Sequence, residues 1–212
     1  DDEFKWITGV AVGANGWLYV SDAENHRVQI YDDTLTYVDT IGETGVCGTG
    51  DDQLCKPWGV EVDAVGNIYV ADGDNRRVQV FNSALELQLS LGLTGESGND
   101  FDHFAYPNDV AVDVDGNIYV SDCDNHRIQV FDPTGAYLTT VGGRFGENTS
   151  QFAYPSSVAL DSQGALFVAE RDNHRIQRFT RGVPGWEQVN LNGFGDRWLD
   201  NIPSLAVFHD AL

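Results

Sequence analysis

No stretch of this chain approaches the ~20 consecutive apolar residues that a membrane-spanning helix needs, so helical membrane insertion is not expected. Basic residues are scarce: 12 Lys and Arg stand against 33 Asp and Glu, for a net charge of −21. That balance repels phosphate backbones and anionic lipid surfaces, which argues against nucleic acid as a partner. It keeps a surface soluble and suits an extracellular setting. The apolar spacing of an amphipathic helix is missing throughout. So are the Gly-x-Ser-x-Gly elbow, the Walker loop and the His-Glu-x-x-His metal motif. The chain opens Asp1-Asp2-Glu3-Phe4 rather than on a basic, apolar leader, so a secreted form would already have lost its signal.

Cysteine is also sparse, with three residues. Cys47 and Cys55 stand eight positions apart in one Gly/Asp-rich loop, and a disulfide closing that loop is the preferred reading. It would place the protein in an oxidising compartment, secreted or at the cell surface. A zinc site is not expected, because the loop supplies no His. Cys123 is left over, at a position filled by Ala23, Gly73 and Arg171 in the repeats described next.

What the chain does have is repetition. The stretch Ser121-Asp122-Cys123-Asp124-Asn125-His126-Arg127-Ile128-Gln129-Val130-Phe131 recurs at 21–31, 71–81 and 169–179, with its Asn at 25, 75, 125 and 173. A period this regular means one supersecondary unit reused. Each unit opens on a short apolar run (Val10 to Val12, Val60 to Val62, Val110 to Val112, Val158 to Leu160) and a tight turn carrying Gly16, Gly66, Gly116 or Gly164. A β-branched and aromatic strand follows, then the repeated polar loop. In the third strand Val28/Ile30, Val78/Val80 and Ile128/Val130 alternate with Arg and Gln. A fourth strand closes the unit at Tyr37–Ile41, Leu87–Leu91, Tyr137–Val141 or Trp186–Leu191.

The expected fold is therefore all-β: one domain over 1–212, a β-propeller of four-stranded antiparallel blades at about 6–42, 56–92, 106–142 and 154–192. The segment 202–212 matches the opening of a fifth unit, which suggests part of a larger ring, most simply six-bladed. Further blades or self-association would be needed to close it.

The copies Asp22…Asn25-His26-Arg27 and Asp122…Asn125-His126-Arg127, and the whole run 110–131, resemble NHL repeats. The resemblance implies radial blades around a central channel. It leaves function open, because such propellers include RNA- and protein-binding modules, extracellular proteins and peptidyl-hydroxyglycine amidating lyases. In those lyases zinc-binding His residues follow a Pro at the start of the inner strand. The matching residues here are Thr8, Trp58, Asn108, Ser156 and Ser204, none of them His, so no metal ligand is expected.

The acids Asp22, Asp72, Asp122 and Glu170 precede Arg27, Arg77, Arg127 and Arg175 by five residues and should pair across the mouth of one hairpin loop. Because the pair recurs in every blade, it reads as scaffold. Asp113-Val114-Asp115-Gly116-Asn117 superficially resembles a calcium loop but lacks the distant Glu. Calcium remains an option in the acidic connections at Asp51-Asp52 and Asn99-Asp100, without a ligand spacing to specify it. The residues that differ between copies are better candidates for function. Trp58, His103, Tyr106, Asn108, Asp109 and Tyr154 stand where long connections enter the inner strands, and aromatics mixed with amides and acids can hold a sugar or a peptide. The leading expectation is a non-catalytic binding or assembly module for protein, peptide or glycan. The alternative is a propeller enzyme, of lyase or metal-dependent lactonase type, with its site in the channel.

Overall fold

The computed structural model describes residues 3–182 and 185–189. It contains four four-stranded antiparallel sheets, each a simple meander. The first holds β1 (Ile7–Val12), β2 (Leu18–Asp22), β3 (Arg27–Tyr31) and β4 (Tyr37–Ile41). The second holds β5 (Pro57–Val62), β6 (Ile68–Asp72), β7 (Arg77–Phe81) and β8 (Leu87–Leu91). The third holds β9 (Pro107–Val112), β10 (Ile118–Asp122), β11 (Arg127–Phe131) and β12 (Tyr137–Gly142). The fourth holds β13 (Pro155–Leu160), β14 (Leu166–Glu170), β15 (Arg175–Gly182) and β16 (Gly185–Val189). The inner strands β1, β5, β9 and β13 pack side by side in chain order, as in a β-propeller. The expected fifth unit at 202–212, Ser204 and the last residues of the expected strand Trp186–Leu191 lie outside the described residues.

Local chemistry explains the meander. In the second blade the Asp63 carboxylate accepts the N–H groups of Val65 and Asn67, closing the first turn on itself. Asp113 and Asp161 repeat the arrangement. Asp32, Asn82 and Asp132 do the same for the third turn. The repeated polar loop contains something periodicity could not show: a single turn of 3-10 helix at Ala23–Asn25, Gly73–Asn75 and Cys123–Asn125. Each ends on a left-handed residue, His26, Arg76 or His126, with φ of 56°, 60° and 55°. Three residues are too few to leave a helical pattern in sequence.

The hydrophobic core is divided among the seams between blades. One cluster joins Val28, Ile30 and Ile41 of the first blade to Val60, Ile68 and Val70 of the second. A second joins Tyr69 and Val80 to Val110 and Ile118. A third joins Tyr119 and Val130 to Val158 and Leu166. Along the inner strands, odd-numbered positions of the first three blades, such as Gly9, Ala11, Gly59 and Ala111, face the next blade. At this tight approach, a Cβ on Gly9 would lie 2.5 Å from the Trp58 carbonyl and one on Gly59 would lie 2.7 Å from Asp109 Cα, so no larger residue fits.

The expected acid–Arg pairs all form. Arg27, Arg77, Arg127 and Arg175 meet Asp22, Asp72, Asp122 and Glu170 at 3.1, 2.9, 2.8 and 2.6 Å, with every acid buried. The pairs do more than close a hairpin. The Arg77 guanidinium also donates to the carbonyls of Thr49, Gly50 and Gln53 on the preceding long connection. Arg127 does the same to Asn99, Asp100 and His103. Charge-assisted bonds of this kind are the stronger class, and here each ties one blade to the connection before it. Cys47 and Cys55 are joined in a disulfide across the first such connection. Cys123 is a free thiol, buried, and its burial pushes the pKa up to about 12.

Candidate functional site

The residues just before and just after each inner strand's first position sit at one end of the blades, beside the 3-10 turns and the long connections. In the first three blades they form a continuous aromatic strip. The Trp6 and Trp58 rings meet edge-on at 5.3 Å between centroids. Trp58 and Tyr106 follow at 6.1 Å, and the Trp58 indole N–H donates to the Tyr106 hydroxyl at 2.8 Å. Tyr106 in turn donates to Asp74 Oδ1 at 3.1 Å, and the Arg76 guanidinium lies 5.3 Å from its ring centroid. Asp74 also pairs with Lys56 Nζ at 3.4 Å. Burial and the nearby Asp74 carboxylate push the Tyr106 hydroxyl up to about 12, so it stays a neutral donor. Trp6 is 44% exposed, and the Trp58 and Tyr106 rings are half-buried. The strip offers rigid apolar faces with a carboxylate and two cations at its edge, which suits a ligand with one apolar and one polar side.

Of the residues expected where the long connections enter the inner strands, Trp58 and Tyr106 are brought into direct contact. Tyr154 lies one seam further on, with its ring 4.7 Å from His126 and the Arg171 guanidinium 4.6 Å from its centroid. Asn108 and Asp109 face the fourth blade. Asn108 Nδ2 donates to the Ser156 carbonyl at 3.0 Å, and Asp109 accepts the Ser157 hydroxyl at 2.5 Å and the Val158 N–H at 3.0 Å. His103 lies on the long connection, with Nδ1 2.6 Å from Asp100 Oδ1 and its carbonyl held by Arg127. Its bond to Asp100 raises the imidazole pKa. Trp6, Lys56, Asp74 and Arg76 belong to the strip without having been singled out. Trp6 holds the register of Tyr106 and Tyr154, but Ile7 stands where the later blades have Pro, which hides the match.

Two carboxyls on adjacent inner strands are shifted toward neutrality. Burial, then the Asp109 and Asp63 charges, push Glu61 up to about 7. Burial pushes Asp109 up to about 6 against the hydrogen bonds from Ser157, Val158 and Val110. Glu61 has no counterpart, since Ala11, Ala111 and Ala159 fill its register in the other blades. A cavity of about 580 Å³ opens at the other end of the second seam, lined by Asp63, Tyr69, Asp113, Ile118 and Pro133. It lies on the tight-turn face, opposite the long connections. The Asp113 oxygens are committed to the Asp115 and Asn117 N–H groups, the Asn117 amide and the Tyr119 hydroxyl.

The repeated His is an inter-blade link. His26 Nδ1 accepts the Lys56 N–H at 3.1 Å and His126 Nδ1 accepts the Tyr154 N–H at 3.3 Å. Arg76 serves the seam between them by donating to the Ala105 carbonyl.

This set of blades, pins and links agrees with the match of the NHL repeat model at residues 4–31, 54–81, 104–131 and 152–179. The chain belongs to the NHL repeat family. No curated protein matches the chain. Among solved structures, it is similar to a gluconolactonase from Xanthomonas campestris at 19% identity and a TM-score of 0.66, covering 89% of this chain and 63% of that one. It is similar to virginiamycin B lyase from Staphylococcus aureus at 12% identity and a TM-score of 0.64, covering 89% and 56%. An auxiliary nutrient binding protein from Bacteroides thetaiotaomicron follows at 19% and 0.61, covering 81% and 47%. At such identities the likeness is one of fold. The chain spans roughly half to two-thirds of the length of these structures.

Proposed function

We propose that this NHL propeller is a non-catalytic binding module, secreted or at the cell surface, that takes an extended glycan or peptide along the Trp6–Trp58–Tyr106 strip. The observation that carries the reading is the unbroken contact of these three rings across three blades, with Asp74, Lys56 and Arg76 at their edge. The disulfide fits an oxidising compartment, and no helix of the described residues is long and apolar enough to cross a membrane. The nutrient-binding neighbour supports a binding role by analogy of fold. The ring is completed by further blades or a second copy against the open face of β1, most simply to six blades.

The test is Trp-fluorescence titration with panels of soluble oligosaccharides and peptides. A bound ligand should quench or shift Trp58, and Trp58→Ala should weaken it by at least about tenfold. Unchanged affinity in Trp58→Ala would remove the strip as the site.

The second reading, a propeller enzyme, draws on Glu61 and Asp109, two carboxyls poised near neutrality on adjacent inner strands. Gluconolactonase and lyase neighbours share its fold. Turnover of a lactone or cyclic ester that Glu61→Gln abolishes while Trp58→Ala spares would favour it.

A further inference from the structure

We propose that His26, Cys47 and Cys55 form a redox-gated site for a zinc-type cation, closed while the two cysteines are joined and opened by their reduction. The loop between the cysteines supplies no His, but folding delivers one from the first blade's polar loop. One ligand atom from each of the three residues lies within 4.8 Å of the others. Tetrahedral zinc holds thiolate sulfur at about 2.3 Å and imidazole nitrogen at about 2.0 Å, which places its ligands roughly 3.3–3.8 Å apart. Parting the two sulfurs is therefore the main movement required. Two thiolates and one imidazole are a donor set for zinc rather than for calcium or magnesium, and water would fill the fourth position.

Opening the site needs a dithiol reductant. It delivers two electrons and two protons to the disulfide, leaving a thiol on each cysteine, and is itself oxidised to a disulfide. The cation then displaces both thiol protons, and His26 contributes a neutral nitrogen. Cys47 is exposed, so the reductant can reach it, whereas Cys55 is buried.

The frame around the sulfurs does not depend on the bond between them. Cys55 N–H donates to Asp72 Oδ1 at 2.6 Å, and Asp72 is paired with Arg77. Arg77 grips the Thr49, Gly50 and Gln53 carbonyls, Asn75 holds the Gly48 carbonyl at 2.7 Å, and Leu54 is fully buried. The loop thus stays in place after reduction, with the Cys47 side free to swing. Loading has a structural consequence. If Nδ1 ligates, it gives up the Lys56 N–H. If Nε2 ligates, the ring proton moves to Nδ1 and faces the same N–H. Either way the cation competes with the His26–Lys56 hydrogen bond, one of those that link the first blade to the second.

The experiment compares the full chain, oxidised or reduced with a dithiol and desalted anaerobically, by titration with Co2+ and displacement with Zn2+. The expected result is one Co2+ per reduced chain with a thiolate-to-cobalt charge-transfer band, and none in the oxidised chain. Cys47→Ser should abolish the band. His26→Arg, which places there the residue that fills this position in the second blade, should weaken binding at least about tenfold while the fold persists. Hydrogen exchange at the Lys56 amide should quicken on loading. Absence of the band in the reduced chain, full-strength binding by His26→Arg, equal binding by the oxidised chain, or loss of sheet structure on reduction alone would each overturn the proposal.

Discussion

Val10 and Val110 hold the same place in the first and third inner strands, yet Val10 is 55% exposed and Val110 is 2% exposed. Val60 and Val158, their counterparts, are as buried as Val110. The residue, the strand and the register are alike; the neighbouring blade makes the difference. A blade alone buries little, and each of the three core clusters spans two blades. Stability therefore resides in the seams, as in other repeat architectures. The pins show the same contrast. Arg127 reaches three carbonyls of the preceding connection, whereas Arg27 finds Glu3 of the leading segment in that role.

The sharpest break of this comparison is a charge placed at both positions. Val110→Asp buries a carboxylate in an apolar seam and should cost about 4 kcal/mol, while Val10→Asp should cost less than about 0.5 kcal/mol. Urea denaturation of the two variants measures it. Equal losses would show that the β1 face is covered in solution. Next, Arg127→Ala strands the buried Asp122 and releases the connection before it, for about 3–4 kcal/mol. Arg27→Ala should cost less, because the carbonyl it holds belongs to the leading segment rather than to a connection between blades.

Seams can also be set against each other by pH. Glu61 is raised from an ordinary value of 4.5 to about 7, so the folded chain holds the proton more tightly than the unfolded one. Its stabilisation is complete below about pH 4.5 and is lost as the pH rises through 7, by about 3 kcal/mol. Glu61→Ala supplies the residue of the other seams. It should be the more stable chain at pH 8 and should lack this slope between pH 4.5 and 7, leaving the smaller fall owed to Asp109, whose carboxyl burial likewise raises, to about 6. Parallel pH–stability curves for the two chains would refute the assignment.

The blades were legible because each copy carries its own turn chemistry and strand composition, and because four copies could be compared. The pins were legible as pairs five residues apart. Their reach into the preceding connection was not, since it joins residues 24 to 28 positions apart through backbone carbonyls that any sequence possesses. The third strand's alternation of Val with Arg and Gln marked a strand but not its burial: Arg77 and Gln79 are as buried as Val78, because the long connection covers them. The aromatic strip was half visible: Trp58 and Tyr106 stood out as departures from the repeat, while Asp74 and Arg76 were hidden inside it. His26 beside the two cysteines could not be seen at all, because only the packing of the first blade against the second brings them together.

The smallest expected effect concerns the link that the repeat varies. Arg76 donates to a carbonyl across the second seam, where His26 and His126 accept an N–H across the first and third. The left-handed backbone at 76 matches that at 26 and 126, so Arg76→His introduces no strain. The N–H that the new imidazole would need is that of Tyr106, already donating to Asp122 Oδ1 at 3.2 Å. The variant thus loses one hydrogen bond and the cation over the Tyr106 ring and regains part of a shared bond, for a net loss of about 0.5–1 kcal/mol. Tyr106 would also lose a neighbour that steadies the aromatic strip. A fall in stability within that range, with a change in the Trp58 emission, would identify position 76 as both link and edge of the site. A loss as large as that of Arg127→Ala would mean that the second seam depends on the guanidinium in a way the first and third do not.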